Sequence, residues 1–341
     1  MKIRMIQAGL GSRGKAIIKS AAPENLDVEW VAVVDVVPAA VEEAGNFLNL
    51  PANRRFTSLA EAIAKVPADA VFCCAQPEVH HEHANLAFDN GLHFLTEKPI
   101  SNTLERALDM VKLAEKTGKQ LAVAQNYRYS PPMIAFRNIF AEKPVGEFGH
   151  GHLDFYIPAD FTGTFREKME FPLLVDMTIH HLDLIRAVTG RNIVKVTAHS
   201  FRPSWSWYEH DPALKMILEL EGGLPFSYSG DWSGRGRTTS WNGAWRLQCA
   251  DGSLHLEQDR IQSVTCGRWS KDPATRDHEI PDLEGNSERR ILHEFAESVR
   301  TGKPMQVSGQ DNLWSFAAVM AGVQSARQGQ TVDVAELLGK A

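Results

Sequence analysis

The first 35 residues restrict the fold most: a short apolar run, a glycine loop, a helical pattern, and a second apolar run ending in a carboxylate. Residues 2–8 read as a buried strand, and Gly9-Leu10-Gly11-Ser12-Arg13-Gly14 follows with no spacer. In that setting Gly9 permits a tight turn, Gly11 lets backbone approach a pyrophosphate, and Gly14 lets the next helix lie close to the strand. A helix from Lys15 directs unpaired N–H groups and the positive end of its dipole toward phosphates. Residues 29–35 read as the next strand and place Asp35 about twenty residues past the loop, where a ribose 2′-hydroxyl needs an acceptor. Val36 and Val37 follow, with no base to neutralise a 2′-phosphate, so the carboxylate favours NAD over NADP. Arg13 and the Arg54-Arg55 pair are the basic residues within reach of the adenosine end; the simpler reading leaves them solvated or touching only the pyrophosphate.

A chain of 341 residues exceeds the size at which one core usually stops growing, so two domains are expected. A formal net charge of −6 with no long basic run carries no electrostatic footprint for nucleic acid. Gly9, Gly11, Ser12, Arg13 and Lys15 interrupt the N-terminal apolar run before it could serve as a secretory leader, and no stretch is long enough to span a membrane. Cys73, Cys74, Cys249 and Cys266 lack zinc-ligand spacing and read as buried, reduced thiols, which fits a cytoplasmic protein.

The pattern then alternates as a doubly wound parallel sheet requires, with helices expected at 39–48, 59–65, 80–90 and 102–116 and strands at 70–75, 92–96 and 120–125. Gln76 and Pro77 leave the 70–75 strand at its carboxyl end, where open α/β sheets bind ligands, and His80 follows them. His80, His81 and His83 invite a metal reading, yet His80 and His81 point about 100° apart on a helix and no cysteine or carboxylate set completes a site. Glu97-Lys98-Pro99 leaves the 92–96 strand toward the same crevice, and Pro99 keeps Lys98 out of helical geometry. The bland reading of that tripeptide is a strand-end turn with a solvated ion pair.

Asn126-Tyr127-Arg128-Tyr129-Ser130-Pro131-Pro132 breaks the alternation, which puts a Rossmann domain at 1–125 and an α+β domain at 126–341. The second domain opens with a helix at 132–141 and a strand at 151–156, and strand-like runs follow at 194–201, 214–221, 225–232, 244–249, 253–257 and 262–266. Gly222-Gly223 and Asp251-Gly252 fall between them as hairpin turns, so the expected sheet is large and mostly antiparallel. Residues 173–190 read as an apolar helix that sets Asp176, His180 and Asp183 at i, i+4 and i+7, on one face. A core helix with capped, satisfied polar groups is the alternative, with Asp176 favoured in the first turn by the dipole. Trp205, Trp207, Trp232, Trp241 and Trp245 suit a core or subunit interface better than a sugar-stacking surface. Two closing helices are expected at 287–300 and 311–327.

Taken in order, Gly9-x-Gly11-x-x-Gly14, Glu97-Lys98-Pro99 and Asp176-x-x-x-His180-x-x-Asp183 resemble the glucose–fructose oxidoreductase / inositol dehydrogenase / MocA family over nearly the whole chain. The resemblance implies a Rossmann domain, a C-terminal α+β domain whose open sheet joins homodimers or homotetramers, and NAD(P)-dependent oxidation or reduction of cyclic polyols and sugars. It also implies that Lys98 is the active-site lysine, Asp176 the active-site acid and His180 the general base, and that the Lys98-Pro99 peptide is often cis. Thr178, His181 and Gln76 depart from common family residues, which bears on substrate more than on fold. The cofactor contacts expected on this basis are Gly9, Gly11, Ser12, Arg13, Gly14, Asp35, Gln76, Pro77, His80, Glu97 and Lys98. Asn126, Tyr127, Tyr156, Asp176, His180 and His181 are the expected substrate contacts, and no metal is expected.

The chemistry accounts for the residue types. Oxidising a secondary alcohol moves a hydride from carbon to nicotinamide and a proton from oxygen to a base within hydrogen-bond distance. An imidazole, with an ordinary pKa of about 6.5, exchanges that proton near neutral pH. The Lys98 ammonium would stabilise the developing alkoxide and favour the neutral imidazole. Two alternatives are a nicotinamide-binding redox sensor without turnover and a redox-neutral, NAD-assisted elimination or hydrolysis of a sugar.

Overall fold

The computed structural model describes residues 1–21 and 27–340. The chain forms two compact units, residues 1–129 with 284–313, and residues 130–283 with 314–340. Among the described residues the first unit holds a six-stranded parallel sheet of β1 (Ile3–Ala8), β2 (Val28–Val34), β3 (Arg55–Phe56), β4 (Ala70–Cys73), β5 (His93–Thr96) and β6 (Leu121–Val123), ordered β3-β2-β1-β4-β5-β6. Helices α1 (Ser12–Ala21), α2 (Pro38–Phe47), α3 (Leu59–Lys65), α4 (Pro77–Asp89) and α5 (Leu104–Thr117) connect them. The strands are near-continuous apolar runs because helices cover both faces of such a sheet, and β4 is buried along its whole length. Ser58 and Thr103 cap α3 and α5 by accepting the N–H of Glu61 and Arg106, and Gly118 ends α5 in the left-handed region at φ +65°. Strand order reverses between β1 and β4, which makes their carboxyl ends the ligand-binding edge of this fold.

In the second unit α6 (Pro131–Ala141), β7 (Phe148–Tyr156), α7 (Thr178–Thr189), β8 (Ile193–Phe201), β9 (Ala213–Leu220), β10 (Leu224–Asp231), β11 (Ala244–Cys249), β12 (Gly252–Glu257), β13 (Arg260–Thr265) and β14 (Ala274–His278) follow in order. The chain continues through α8 (Ser287–Thr301), α9 (Gly309–Gln328), β15 (Val332–Asp333) and α10 (Val334–Lys340). Among the described residues the second sheet is nine-stranded, ordered β14-β13-β12-β11-β7-β10-β9-β8-β15, and antiparallel except where β7 and β10 run parallel. Alternation along β9 buries Leu214, Met216, Leu218 and Leu220 while Lys215 and Ile217 stay exposed, so one face is core and the other is open. Trp232 and Trp245 lie in the core, whereas Trp205 and Trp241 are 50% and 46% exposed. Cys73 and Cys249 are buried as expected, but Cys266 is exposed.

Residues 284–313, expected with the second domain, cluster instead with the first unit. The cause is the apolar stripe of α8, where Ile291, Leu292, Phe295 and Ala296 share one core with Met5, Phe72 and Leu95. Strand β14 went unforeseen because four of its five residues are exposed, which leaves no alternation to read.

A polar network inside the second unit fixes α7. His181 is fully buried, its ring centroid is 4.7 Å from that of Phe155, and its Nδ1 and Nε2 lie 3.0 Å from the Tyr228 hydroxyl and 3.1 Å from the Trp241 carbonyl. A carbonyl only accepts, so Nε2–H donates to it and Nδ1 takes the tyrosine proton, which assigns a neutral tautomer. Burial pushes the imidazole pKa down to about 4, against the Trp241 carbonyl. Between that value and the ordinary 6.5 the unfolded chain binds more protons than the folded one, so this group's stabilisation is lost as pH falls. Urea unfolding should show about 2 kcal/mol of stability lost to His181 between about pH 7 and pH 5. His181→Gln should lose correspondingly less over that interval; equal losses in the two proteins would rule out the assignment.

Candidate functional site

Expected functional residues fall into two groups, one in each unit. In the first, the three glycines of the loop have three different surroundings. A Cβ on Gly9, at φ +88°, would stand 2.4 Å from Ala75 N, one on Gly14 would stand 2.1 Å from the Gly9 carbonyl oxygen, and one on Gly11 would meet nothing within 4 Å. Gly9 and Gly14 therefore close the turn against β4 and α1, while the Gly11 backbone stays open to a ligand. Helix α1 begins at Ser12, three residues before the expected start, so its free N–H groups begin inside the loop. Asp35 accepts the N–H of Leu10 at 2.6 Å through one oxygen and that of Val37 at 2.9 Å through the other. Its carboxylate is thus fixed beside the loop. Val36 and Val37 are exposed, Lys15 pairs with Glu43, and Arg55 is held by Glu42 and the Leu50 carbonyl at 2.6 Å each. This donor and acceptor set fits a dinucleotide: an open glycine backbone and helix terminus for the phosphates, and a carboxylate for a ribose.

At the neighbouring strand ends the structure departs from expectation. Gln76 is the residue before α4, and Pro77 opens that helix, but the His80 ring is 1% exposed and faces protein. Its Nδ1 lies 3.1 and 3.3 Å from the Pro99 and Ile100 carbonyls and 3.0 Å from the Thr96 hydroxyl, and its Nε2 lies 3.1 Å from the Ala75 carbonyl. Burial pushes its pKa below the ordinary value, while the carbonyls pull the other way. His80 therefore ties the chain after Lys98 to the end of β4 and makes no surface for a cofactor. Arg13 and Glu97, both expected at the cofactor, pair with each other at 2.6 Å. Burial lowers the Arg13 pKa, but Glu97 and Glu288 raise it further and hold the guanidinium charged. The Lys98-Pro99 peptide is cis. His81 meets Asp109 at 2.6 Å and His83 meets the Cys73 thiol at 3.4 Å, so the three clustered imidazoles have three separate sets of partners. Asn126 and Tyr127 form a single 3-10 turn past β6, both partly buried; the turn continues to Arg128, which donates to the Gln306 carbonyl and to Asp311, both at 2.7 Å.

In the second unit, residues Leu173–Met177 form a π-helical turn that runs into α7. The wider turn displaces Asp176 from the α-helical i, i+4 spacing relative to His180. Asp176 accepts from Arg166 Nε at 2.6 Å, and the guanidinium carbon lies 5.0 and 4.6 Å from the ring centroids of Phe161 and Phe165. Arg166 lies between the expected 151–156 strand and 173–190 helix, where no periodic pattern singled it out; the phenylalanines before it, Phe161 and Phe165, were the available signal. His180 is 6% exposed at the start of α7. His181 and Asp183 turn inward: His181 enters the network described above, and Asp183, 1% exposed, accepts from Ser315 at 2.7 Å and pairs with Arg186 at 3.9 Å. His181 is accordingly a packing group where a substrate contact was expected. The Tyr156 hydroxyl, also expected at the substrate, accepts from Lys215 at 3.0 Å on the open side of β7, while Phe155 beside it faces His181.

Comparison with known proteins agrees with this architecture. The chain is 25% identical to an inositol 2-dehydrogenase of Rhizobium meliloti, over 98% of this chain and 100% of that protein. It is 25% identical to a D-apiose dehydrogenase of Paraburkholderia graminis, over 92% of this chain and 85% of that protein. An Agrobacterium radiobacter oxidoreductase solved with NAD+, L-tartaric acid and magnesium has the same fold, with a TM-score of 0.88 and 20% identity over 99% of this chain and 100% of that one. Among the described residues no helix is long and apolar enough to cross a membrane. Residues 3–125 match the model described as an oxidoreductase family with an NAD-binding Rossmann fold, residues 156–334 match its C-terminal alpha/beta domain, and the chain belongs to this glucose–fructose oxidoreductase / inositol dehydrogenase / MocA oxidoreductase family.

Proposed function

We propose that the protein is an NAD-dependent dehydrogenase that moves a hydride between a secondary alcohol of a cyclic polyol or sugar and the nicotinamide. The Asp35 carboxylate, fixed by the Leu10 and Val37 N–H groups beside the open glycine backbone, is the observation that carries the cofactor half. Relatives named for inositol and apiose support the substrate class. When bound, NAD supplies the hydride acceptor. Gly11 and the start of α1 would hold its phosphates, Asp35 its adenosine ribose, and Gln76 and Pro77 would border it at the end of β4. In this proposal the Lys98 ammonium steadies charge on the substrate oxygen, His180 takes the hydroxyl proton, and Asp176 accepts a hydrogen bond from the substrate.

Cofactor choice tests the first half. The wild-type chain should prefer NAD to NADP in kcat/KM, and Asp35→Ser should shrink that preference by about 10- to 100-fold through loss of a charge-assisted acceptor and of repulsion toward a 2′-phosphate. An unchanged ratio would remove Asp35 from the ribose site. The catalytic half is read from the absorbance of reduced cofactor against a panel of inositols, aldoses, lactones and amino sugars. Lys98→Ala and His180→Ala should each lower turnover by about 100-fold or more while NADH still binds, since positioned proton transfer contributes on that scale. Near-normal rates in either variant would defeat the mechanism, and NADH binding without turnover of any panel member would favour a sensor.

The open face of the second sheet, where Ile217 is 61% exposed, also supports a homodimer or homotetramer. Light scattering should give a mass at least twice that of one chain, and Ile217→Asp should shift it toward one chain; a wild-type monomer would end this part of the reading.

A further inference from the structure

Arg13 is the basic residue of the glycine loop, and a phosphate would be its obvious partner. Its guanidinium instead lies between two carboxylates, with Nε 2.6 Å from Glu97 Oε1 and an amino nitrogen 3.0 Å from Glu288 Oε1. Glu97 is 7% exposed, and its second oxygen accepts the Lys98 N–H at 3.2 Å. Glu288 stands in the first turn of α8, behind the cap in which Asn286 accepts the Arg289 N–H at 2.9 Å. The contacts therefore run from α8 through Arg13 and Glu97 to the backbone of Lys98.

Two physical points separate this from phosphate binding. One guanidinium against two carboxylates leaves a local charge of −1, so the cluster offers no surplus positive charge to an anion. Turning Arg13 toward a phosphate would also take the charged partner from a Glu97 carboxylate that is 7% exposed and would keep the Lys98 N–H, and a buried carboxylate without its counter-ion is disfavoured. The open Gly11 backbone and the N–H groups at the start of α1 can serve phosphates without it. We propose that Arg13 is a positioning residue for Lys98, acting through Glu97, and not a ligand of the cofactor phosphates. The assignment rests on the reading of Lys98 as the group that acts on substrate.

The test uses Arg13→Met, Arg13→Lys, Glu97→Gln and the Arg13→Met/Glu97→Gln double variant of the full chain. NADH fluorescence gives the cofactor Kd, kcat and KM come from NAD with the panel alcohol oxidised fastest, and thermal melting confirms folding. Arg13→Met should keep its NADH Kd and its alcohol KM within about threefold of wild type while kcat falls by about tenfold or more. Arg13→Lys should recover part of kcat. The double variant should be no slower than the poorer single variant, because the two side chains act as a unit. A rise of about tenfold in NADH Kd in Arg13→Met that Glu97→Gln does not share would return Arg13 to the phosphates and overturn the proposal, as would losses that multiply in the double variant. Normal turnover in Lys98→Ala would be a failure of the functional reading itself, whereas an inactive Lys98→Ala beside a fully active Arg13→Met would refute only the present assignment. If no panel alcohol reacts, the Kd comparison still decides whether Arg13 serves the phosphates.

Discussion

Between Gly14 and the carbonyl of Gly9 there is no room for a side-chain carbon, since a Cβ would stand 2.1 Å from that oxygen, and the first unit is arranged around that close approach. It brings the start of α1 against the end of β1, so the N–H groups that a helix cannot satisfy internally sit at the carboxyl edge of the sheet. The same turn leans on β4, where Gly9 leaves no space beside Cys74 and Ala75, and on the end of β2 through the hydrogen bond from Leu10 to Asp35. Three strand ends and one helix terminus are thus fixed relative to one another by two glycines and one carboxylate. An alanine at either glycine would have to move backbone, not a flexible side chain.

These features were legible in the sequence because each depends on neighbours in the chain. Glycine spacing, apolar runs and an acid about twenty residues on are local signals, and they gave the parallel sheet and its ligand edge. What escaped was set by partners far apart in sequence. Arg13 was expected in solvent or at the adenosine or pyrophosphate of the cofactor; the carboxylates it pairs with lie 84 and 275 residues away. His80 was read as facing the crevice because it follows the end of β4, yet its ring is enclosed by the carbonyls of Ala75, Pro99 and Ile100. Helix α8 was recognised as a helix, but an apolar stripe states only that a core exists, not which one it joins.

The second unit divides along another line. Strands with one buried face announced themselves by alternation, and β9 through β13 fall within a few residues of their expected places. The helix that carries the candidate catalytic residues did not obey its expected period, because a π-helical turn at Leu173–Met177 precedes α7. Spacing arguments assume a constant rotation per residue, and a wider turn breaks them where Asp176 sits. The polar residues of this apolar helix have partners of their own. His181 ties α7 to Tyr228 of β10 and to the Trp241 carbonyl, and Asp183 ties it to Ser315 of α9, so these two help to specify how α7 packs and need no substrate to explain them.

With His181 no longer an expected substrate contact and Asp183 accounted for by packing, the roles of Asp176 and His180 are sharper under the proposed chemistry. A group that shuttles a proton must be able to exist in both states at working pH. Asp176 is a poor choice for that task. Arg166 donates to it at 2.6 Å, and Phe161 and Phe165 flank the guanidinium, so protonating the carboxylate would undo a charge-assisted contact that its neighbours help to hold. A carboxylate paired with a guanidinium in this way is suited to accepting a hydrogen bond from a hydroxyl and orienting it. An imidazole ordinarily exchanges its proton near neutral pH, and under the proposed chemistry proton transfer falls to His180 by the difference in chemistry between the two side chains.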